Sequence, residues 1–99
     1  MEVKHESGLF YLGDDKDNNY ARLCYTFYRD DVIIIDSTEV DEDHRGQNLG
    51  KKVLVAAIEW ARTEGMKIIP ECPYAAKVMR ETHDYGDMVF RYGMGRITD

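Results

Sequence analysis

The chain has 99 residues, enough for one domain with a single hydrophobic core. Its net charge of −6 argues against a nucleic-acid partner, because a phosphate backbone is bound by a basic surface. No apolar run approaches the ~18 residues of a membrane span and no apolar segment opens the chain, so we expect a cytoplasmic protein without a membrane partner. The two cysteines are expected to be free thiols.

The first third of the chain is predicted to be a meander of antiparallel strands. Residues 1–7 start it as a short strand or an extended arm, and residues 8–13 form a strand bounded by glycines. Residues 14–19 are a polar hairpin turn; they do not fit a calcium loop, which requires Gly at its sixth and Glu at its twelfth position. Residues 20–29 alternate between apolar and polar side chains, as in a strand with one buried face.

The next strand changes character along its length. Val32 to Ile35 is a run of β-branched residues, which predicts a central strand covered on both faces. The strand continues through polar residues to Val40. We expect this later half to leave the core and line a cleft, although an edge strand that emerges into solvent explains the same pattern.

The second half predicts two helices around one strand. Apolar residues at i, i+3, i+4 and i+7 indicate a helix over residues 50–64, with Gly65 as its C-terminal cap. A strand at residues 67–71 should run parallel to the preceding strand, because a helix connects them. Pro73 opens a second helical segment that Gly86 ends.

The residues after Gly86 are less regular. Residues 88–90 are interpreted as a last strand or a docking patch, and residues 93–99 as a frayed tail. The predicted fold is therefore a single α+β domain over residues 1–99. It has a mixed, mostly antiparallel sheet with one β-α-β crossover and a closing helix.

A glycine-bearing loop joins the strand that ends at Val40 to the first helix. Its sequence is Arg45-Gly46-Gln47-Asn48-Leu49-Gly50. The first amides of a helix lack intrahelical partners and carry partial positive charge, so such a loop is suited to bind phosphate. Lys51 follows in the first turn, where the helix dipole disfavours a cation unless an anion binds there. The alternative is a strand-to-helix turn with no ligand.

Two motifs together resemble a known family. The loop from Arg45 to Gly50 is similar to the pyrophosphate loop of the GNAT-type acyl-CoA N-acyltransferases, with Asn48 in place of its first glycine. Cys72-Pro73-Tyr74, followed by His83-Asp84-Tyr85, resembles the short single-domain branch of that superfamily, with Asp84 in place of a proline. The resemblance spans residues 3–89.

The resemblance implies a truncated acyltransferase fold with acetyl-CoA as co-substrate. The acetyl group would lie near Glu71 and Cys72, and the pantetheine arm would follow the edge of the strand at Thr38, Glu39 and Val40. The remaining cofactor-binding residues that it implies are Arg45, Gly46, Gln47, Asn48, Leu49, Gly50 and Lys51.

Acyl transfer to an amine needs a base, an acid and a donor to the oxyanion, here a backbone N–H near Val40. The candidate bases are Glu71, Glu39 and His44, and the candidate acids are Tyr74 and Tyr85. Each of these side chains also has a non-catalytic explanation, either as a member of a surface ion pair or as a half-buried tyrosine. The three histidines are far apart in sequence, so no metal site is expected.

Cys72 is a further catalytic candidate. Beside the N-terminus of the second helix, a thiolate could accept the acetyl group and pass it to the amine. The alternative is a buried, inert cysteine. We therefore name Cys72, Glu71 and Tyr74 as the predicted catalytic residues.

Three functions remain open at this level. The first is an acetyl-CoA-dependent N-acetyltransferase whose acceptor is an amine-bearing small molecule or protein. The second is a non-catalytic acyl-CoA-binding or protein-interaction module on the same fold. The third is a thiol-dependent enzyme that does not use CoA.

Overall fold

The computed structural model describes residues 2–91. Within this range, five strands form one sheet in the order β1-β2-β3-β4-β5. The strands β1 to β4 are antiparallel neighbours, whereas β5 runs parallel to β4. The predicted α+β fold with a mixed sheet is confirmed. The interpretation of residues 93–99 as a frayed tail lies outside the described residues.

The meander consists of β1 (Lys4–Glu6), β2 (Leu9–Asp15), β3 (Asn18–Arg29) and β4 (Val32–Val40). The turn between β2 and β3 is tighter than the six residues predicted. The Asp15 carboxylate accepts hydrogen bonds from the backbone N–H groups of Asp17 and Asn18 at 2.8 and 2.9 Å. This side-chain-to-backbone bonding closes the hairpin within two residues.

Gly13 lies at an irregularity in the pairing of β2 with β3. Its φ of +144° belongs to a region that side chains rarely adopt, and a Cβ there would lie 2.4 Å from the Cα of Asn19. Only glycine is therefore compatible with this close approach of the two strands.

The crossover consists of α1 (Leu49–Thr63) and β5 (Lys67–Pro70), followed by α2 (Pro73–Glu81). Gly65 ends the first helix with a φ of +74°, as predicted. Within residues 2–91, neither helix has the length and apolar character needed to span a membrane.

The second helix ends five residues before Gly86, so that predicted boundary is wrong. Thr82 has an extended backbone, and a 3₁₀ segment follows at His83–Met88. Arg62 of α1 donates to the Asp84 carbonyl and to the Asp87 carboxylate, both at 2.9 Å. These tertiary contacts hold the segment against α1.

The core lies between the sheet and the two helices. Leu12, Leu23 and Ile33 from the sheet form one buried cluster with Leu54 of α1 and Met79 of α2. The opposite face of the sheet carries a smaller cluster: Val32, Ile69 and Phe90, with Ile34 packed against them.

The two clusters settle two predictions. The run from Val32 to Ile35 is covered on both faces, as predicted. Residues 88–90 form neither a full strand nor a patch. Val89 makes an isolated bridge with Ile68, and Phe90 packs on the opposite face of the sheet.

The pairing of β4 with β5 stops halfway along β4. The paired residues run from Val32 to Ile35, and the backbone N–H of Cys72 donates to the Ile35 carbonyl at 3.0 Å. Beyond this point β4 continues to Val40 without β5 beside it. The two strands therefore separate where the sequence changes from apolar to polar.

Candidate functional site

A cleft of about 780 Å³ lies beside the separated half of β4. Its walls come from β3, β4, the loop that precedes α1, the first turn of α1 and the first turn of α2. The lining residues are Arg22, Thr38, Glu39, Val40, Asp41, Glu42, His44, Arg45, Gly46, Asn48, Leu49, Gly50 and Tyr74.

The loop before α1 turns through two left-handed residues. Gly46 has a φ of +87°, and Asn48 has φ 60° and ψ 30°. Asn is among the non-glycine residues that best tolerate this conformation, so the turn is kept without the glycine. Asn48 caps α1 without a side-chain hydrogen bond to the helix. The first intrahelical bond runs from the Lys52 N–H to the Asn48 carbonyl, so the preceding amides depend on other partners.

Arg45 places a cation at the same end of the cleft. Its Nε donates to the Val40 carbonyl at 3.2 Å, which fixes the side chain against the end of β4. Within residues 2–91 its guanidinium takes part in no ion pair. The loop amides and Arg45 together make this end of the cleft suited to an anion.

Gly50 lies where α1 passes closest to the other walls. A Cβ added there would lie 3.6 Å from the Tyr74 Cε2 and the Val40 Cγ2, and 3.7 Å from the Thr38 Cγ2. These are ordinary contact distances. A methyl group would therefore fit the fold but would narrow the cleft.

Arg22 organises the acidic wall of the cleft. Its guanidinium donates to Asp41 at 2.6 Å, to Glu39 at 3.3 Å and to the Asn19 side chain at 2.6 Å. The hydrogen bond to Asp41 raises the pKa of the Arg22 guanidinium above its usual value. Sequence reasoning missed Arg22 and Asp41. Alternation places Arg22 on the polar face of β3, but its pairing with Glu39 depends on the β3–β4 register.

Cys72 and Tyr74 lie at the start of α2. The Cys72 side chain is 4% exposed, and its Sγ lies 3.6 Å from the Thr38 Oγ1. Tyr74 is 38% exposed and lines the cleft. Burial, with a smaller contribution from Cys72, raises the pKa of the Tyr74 phenol, so it is protonated at neutral pH.

His44 forms part of the wall beside β3. Its ring stacks on that of Tyr20, with centroids 4.4 Å apart and an interplanar angle of 15°. Among the residues described, its Nδ1 is a buried polar atom without a hydrogen-bond partner.

The cleft brings together most of the residues that the sequence predicted: Thr38, Glu39, Val40, Arg45, Gly46, Asn48, Leu49, Gly50 and Tyr74. Cys72 contacts this set through Thr38. Of the part of the chain that is described, Gln47 and Glu71 are exposed and lie outside the cleft lining, and Lys51 lines a second groove instead. Residues 2–91 contain no group of three His, Cys, Asp or Glu side chains arranged to hold a metal ion.

Comparison with known proteins identifies the fold. Residues 9–88 match the family described as GCN5-related N-acetyl-transferase. The solution structure of a protein described as a GCN5-like N-acetyltransferase from Staphylococcus aureus is 37% identical, with a TM-score of 0.75. The match covers 90% of this chain and 87% of that one. No curated protein matches.

Two more distant structures share the fold. The ribosomal-protein-alanine N-acetyltransferase of Brucella melitensis biovar Abortus 2308 is 17% identical, with a TM-score of 0.55 over 89% of this chain and 74% of that one. An aminoglycoside acetyltransferase from an uncultured soil metagenomic sample, in complex with sisomicin, is also 17% identical. Its TM-score is 0.52, and the match covers 80% of this chain and 59% of that one. The match over residues 9–88 and the similarity to the Staphylococcus aureus structure show that the chain belongs to the GCN5-related N-acetyltransferase family.

Proposed function

We propose that this acetyltransferase moves an acetyl group from acetyl-CoA to an amine acceptor. The observation that carries the proposal is the cleft. It joins the half of β4 that lies beyond β5, the left-handed loop before α1 and the phenol of Tyr74 in one continuous space.

The cleft supports a specific path for the cofactor. The pantetheine arm is an extended chain with amide groups, so it is suited to pair with the β4 edge at Thr38 to Val40 as an added strand would. The pyrophosphate is proposed to bind the loop amides from Arg45 to Gly50, with the Arg45 guanidinium as a charge-assisted donor.

Tyr74 is the proposed acid. The phenol is protonated at neutral pH, as a group that donates a proton to the departing thiolate of CoA must be. Glu39 and His44 are the preferred bases because both line the cleft. Glu71 is exposed outside the lining, so we place it third. A backbone N–H near Val40 remains the proposed donor to the oxyanion.

Cys72 offers a second route. Its thiol gives its proton to the cleft base, the sulfur attacks the thioester carbonyl, and the CoA thiolate leaves with a proton from Tyr74, which the protonated base then restores to Tyr74. The amine attacks the resulting S-acetyl group, and the proton that the amine loses goes to the Cys72 sulfur as the carbon–sulfur bond breaks, which regenerates the thiol. The contact with Thr38 supports this route because it places the sulfur one side chain from the cleft.

The acceptor is proposed to be a primary amine of a small molecule or a protein. Glu39, Asp41 and Glu42 line the cleft and favour a cationic amine. The aminoglycoside and ribosomal-protein acetyltransferases named above, which share the fold, act on acceptors of these two kinds. The free cysteines support the cytoplasm as the proposed location.

One observation favours a second candidate, the non-catalytic acyl-CoA-binding module. Of the predicted catalytic residues, Glu71 lies outside the cleft and Cys72 is buried behind Thr38. A protein of this kind would bind acetyl-CoA but would not transfer the acetyl group.

Two measurements test the proposal. Isothermal titration should show acetyl-CoA binding that Arg45→Ala weakens by ~1–3 kcal/mol, whereas the exposed control Arg80→Ala on α2 leaves it unchanged. Acetyl transfer is then followed by CoA release on a panel of amines, including polyamines and lysine peptides. Binding without transfer would favour the second candidate, and absence of binding would reject both.

A further inference from the structure

Arg22 is held from two sides within the lining of the cleft. Its Nε donates to the side-chain oxygen of Asn19 at 2.6 Å, and its Nη2 donates to the Asp41 carboxylate at 2.6 Å and to the Asn19 carbonyl at 3.3 Å. These bonds connect the guanidinium to the first part of β3 and to the residue that follows β4. The guanidinium is therefore fixed in one position, with its Nη1 bonded to Glu39.

Glu39 is the less constrained partner in this network. Its carboxylate accepts a hydrogen bond from the Arg22 Nη1 at 3.3 Å, longer than the bond from Arg22 to Asp41. The Glu39 side chain is 65% exposed, whereas that of Arg22 is 26% exposed. Within residues 2–91, Arg22 is the one cation that forms an ion pair with Glu39. A long, exposed side chain would sample several rotamers without this contact, so Arg22 restricts the position of the carboxylate.

Glu39 and Thr38 lie on opposite faces of the unpaired half of β4, because successive side chains of a strand alternate. Thr38 faces the helices, where it contacts Cys72 and lies beside Gly50. Glu39 and its cross-strand neighbour Arg22 therefore lie on the other face, and the cleft reaches both. Since the cofactor is proposed to occupy the helix side, an amine that approaches from the open face of the sheet meets Glu39.

We propose that Arg22 is a positioning residue of the transfer reaction, which holds the Glu39 carboxylate at the free edge of β4 as the base. Glu39 takes the proton that the amine loses as its nitrogen bonds to the acetyl carbon. The carbon–sulfur bond breaks, CoA leaves as a thiol with the proton of Tyr74, and the proton on Glu39 returns to Tyr74 through solvent. This inference rests on the proposed function and chooses between the two preferred bases named there. It assigns a role to Arg22, which neither sequence motif includes.

The test follows acetyl transfer to spermidine and to a lysine peptide by CoA release. It compares wild type with Arg22→Gln, Arg22→Lys, Glu39→Gln and the two double variants that combine each Arg22 change with Glu39→Gln. Arg29→Gln is the matched control. Arg29 lies on the same strand and forms an ion pair with Asp31 at 2.6 Å, but it lines neither the cleft nor the second groove between Val3 and α1. Isothermal titration measures acetyl-CoA binding, and thermal unfolding confirms that each variant is folded.

Arg22→Gln should lower kcat about tenfold, because a misplaced base removes the proton less efficiently, and should change acetyl-CoA affinity by less than about twofold. Arg22→Lys should recover part of this loss, since it restores the charge without the fork that contacts Asn19, Asp41 and Glu39 together. Glu39→Gln should lower kcat about 10²-fold. In that background neither Arg22 change should lower kcat further, because the group that Arg22 positions is already removed. Arg29→Gln should match wild type.

An unchanged kcat in Arg22→Gln or in Glu39→Gln would overturn the inference, as would an equal loss from Arg22→Gln with and without Glu39. If Arg22→Gln does not fold, Arg22→Lys decides by the same comparison. In each of these cases transfer by wild type leaves the proposed function standing, with His44 as the base. If wild type transfers the acetyl group to no amine of the panel, the proposed function fails as well.

Discussion

The Cys72 thiol lies 3.6 Å from the hydroxyl oxygen of Thr38, across the point where β4 and β5 separate. The backbone N–H of Cys72 is bonded to the Ile35 carbonyl on the same strand. Cys72 therefore contacts β4 at two positions, Ile35 and Thr38, which are three residues apart. Its sulfur is buried, but Thr38 lines the cleft, so one side chain separates the thiol from the proposed cofactor site.

Cys72→Ala tests the covalent route. If Cys72 accepts the acetyl group, incubation with acetyl-CoA should add one acetyl mass to wild type and to Cys24→Ala, but not to Cys72→Ala. Intact-mass spectrometry measures the adduct. Cys24 is the matched control because it is the other free cysteine and lies on β3, away from α2. Full transfer activity in Cys72→Ala would leave direct attack by the amine.

Gly50→Ala should separate folding from cofactor binding. The added methyl group meets its neighbours at contact distance, and alanine is the better helix residue, so stability should hold or rise by up to about 1 kcal/mol. The same methyl group narrows the cleft between Tyr74 and Val40. We expect acetyl-CoA to bind about tenfold more weakly, measured by isothermal titration. Unchanged affinity would show that the cofactor does not pass this point.

Replacement of Asn48 by alanine and by glycine should affect the stability of the protein differently. Because its φ is 60°, Asn48→Ala should lose about 1 kcal/mol of unfolding free energy, whereas Asn48→Gly should not lose stability. Urea unfolding measures both. We also expect Asn48→Gly to bind acetyl-CoA more tightly, since the side chain lies in the lining of both cavities. Weaker binding would mean that the Asn48 amide donates to the ligand.

Tyr74→Phe should lower kcat by about 10²-fold or more and change KM little, because the phenol is proposed to act in proton transfer. Burial raises the Tyr74 pKa above its ordinary value. Any fall in the wild-type rate through loss of this proton should therefore occur at a higher pH than for an unperturbed phenol. An unchanged kcat in the variant would remove Tyr74 from the mechanism.

His5 should make folding pH-dependent. Its ring stacks on Phe10 with centroids 3.9 Å apart, and its Nε2 lies 2.7 Å from the Tyr25 hydroxyl. Burial lowers the His5 pKa from 6.5. The unfolded chain therefore takes up this proton first, and the contribution to stability is present above pH 6.5 and lost as the pH falls through the folded pKa.

The variant His5→Phe isolates this effect, since it keeps an aromatic ring but cannot titrate. Urea unfolding at pH 7.5 and at pH 5.5 should show a larger loss for wild type than for the variant. Equal losses in both proteins would assign the acid sensitivity to other groups.

Local patterns in the sequence determined most of the elements. The alternation of residues 20–29, the β-branched run from Val32 and the helical spacing before Gly65 each act over a few neighbouring residues. The prediction of a helix start at Pro73 is confirmed for the same reason, and the left-handed conformation of Asn48 follows the same rule. Each depends on the conformational preference of a single residue, which does not require the rest of the chain.

Tertiary structure decided what the sequence could not. The β3–β4 register brings Arg22 beside Glu39, and contacts from Arg62 hold the segment after the second helix against α1. The end of the β4–β5 pairing after Ile35 creates the space that the cleft occupies, and the approach of Val3 to α1 forms the second groove. Each of these features joins residues far apart in the chain. Their geometry follows from packing and strand register, which composition and spacing along the chain do not specify.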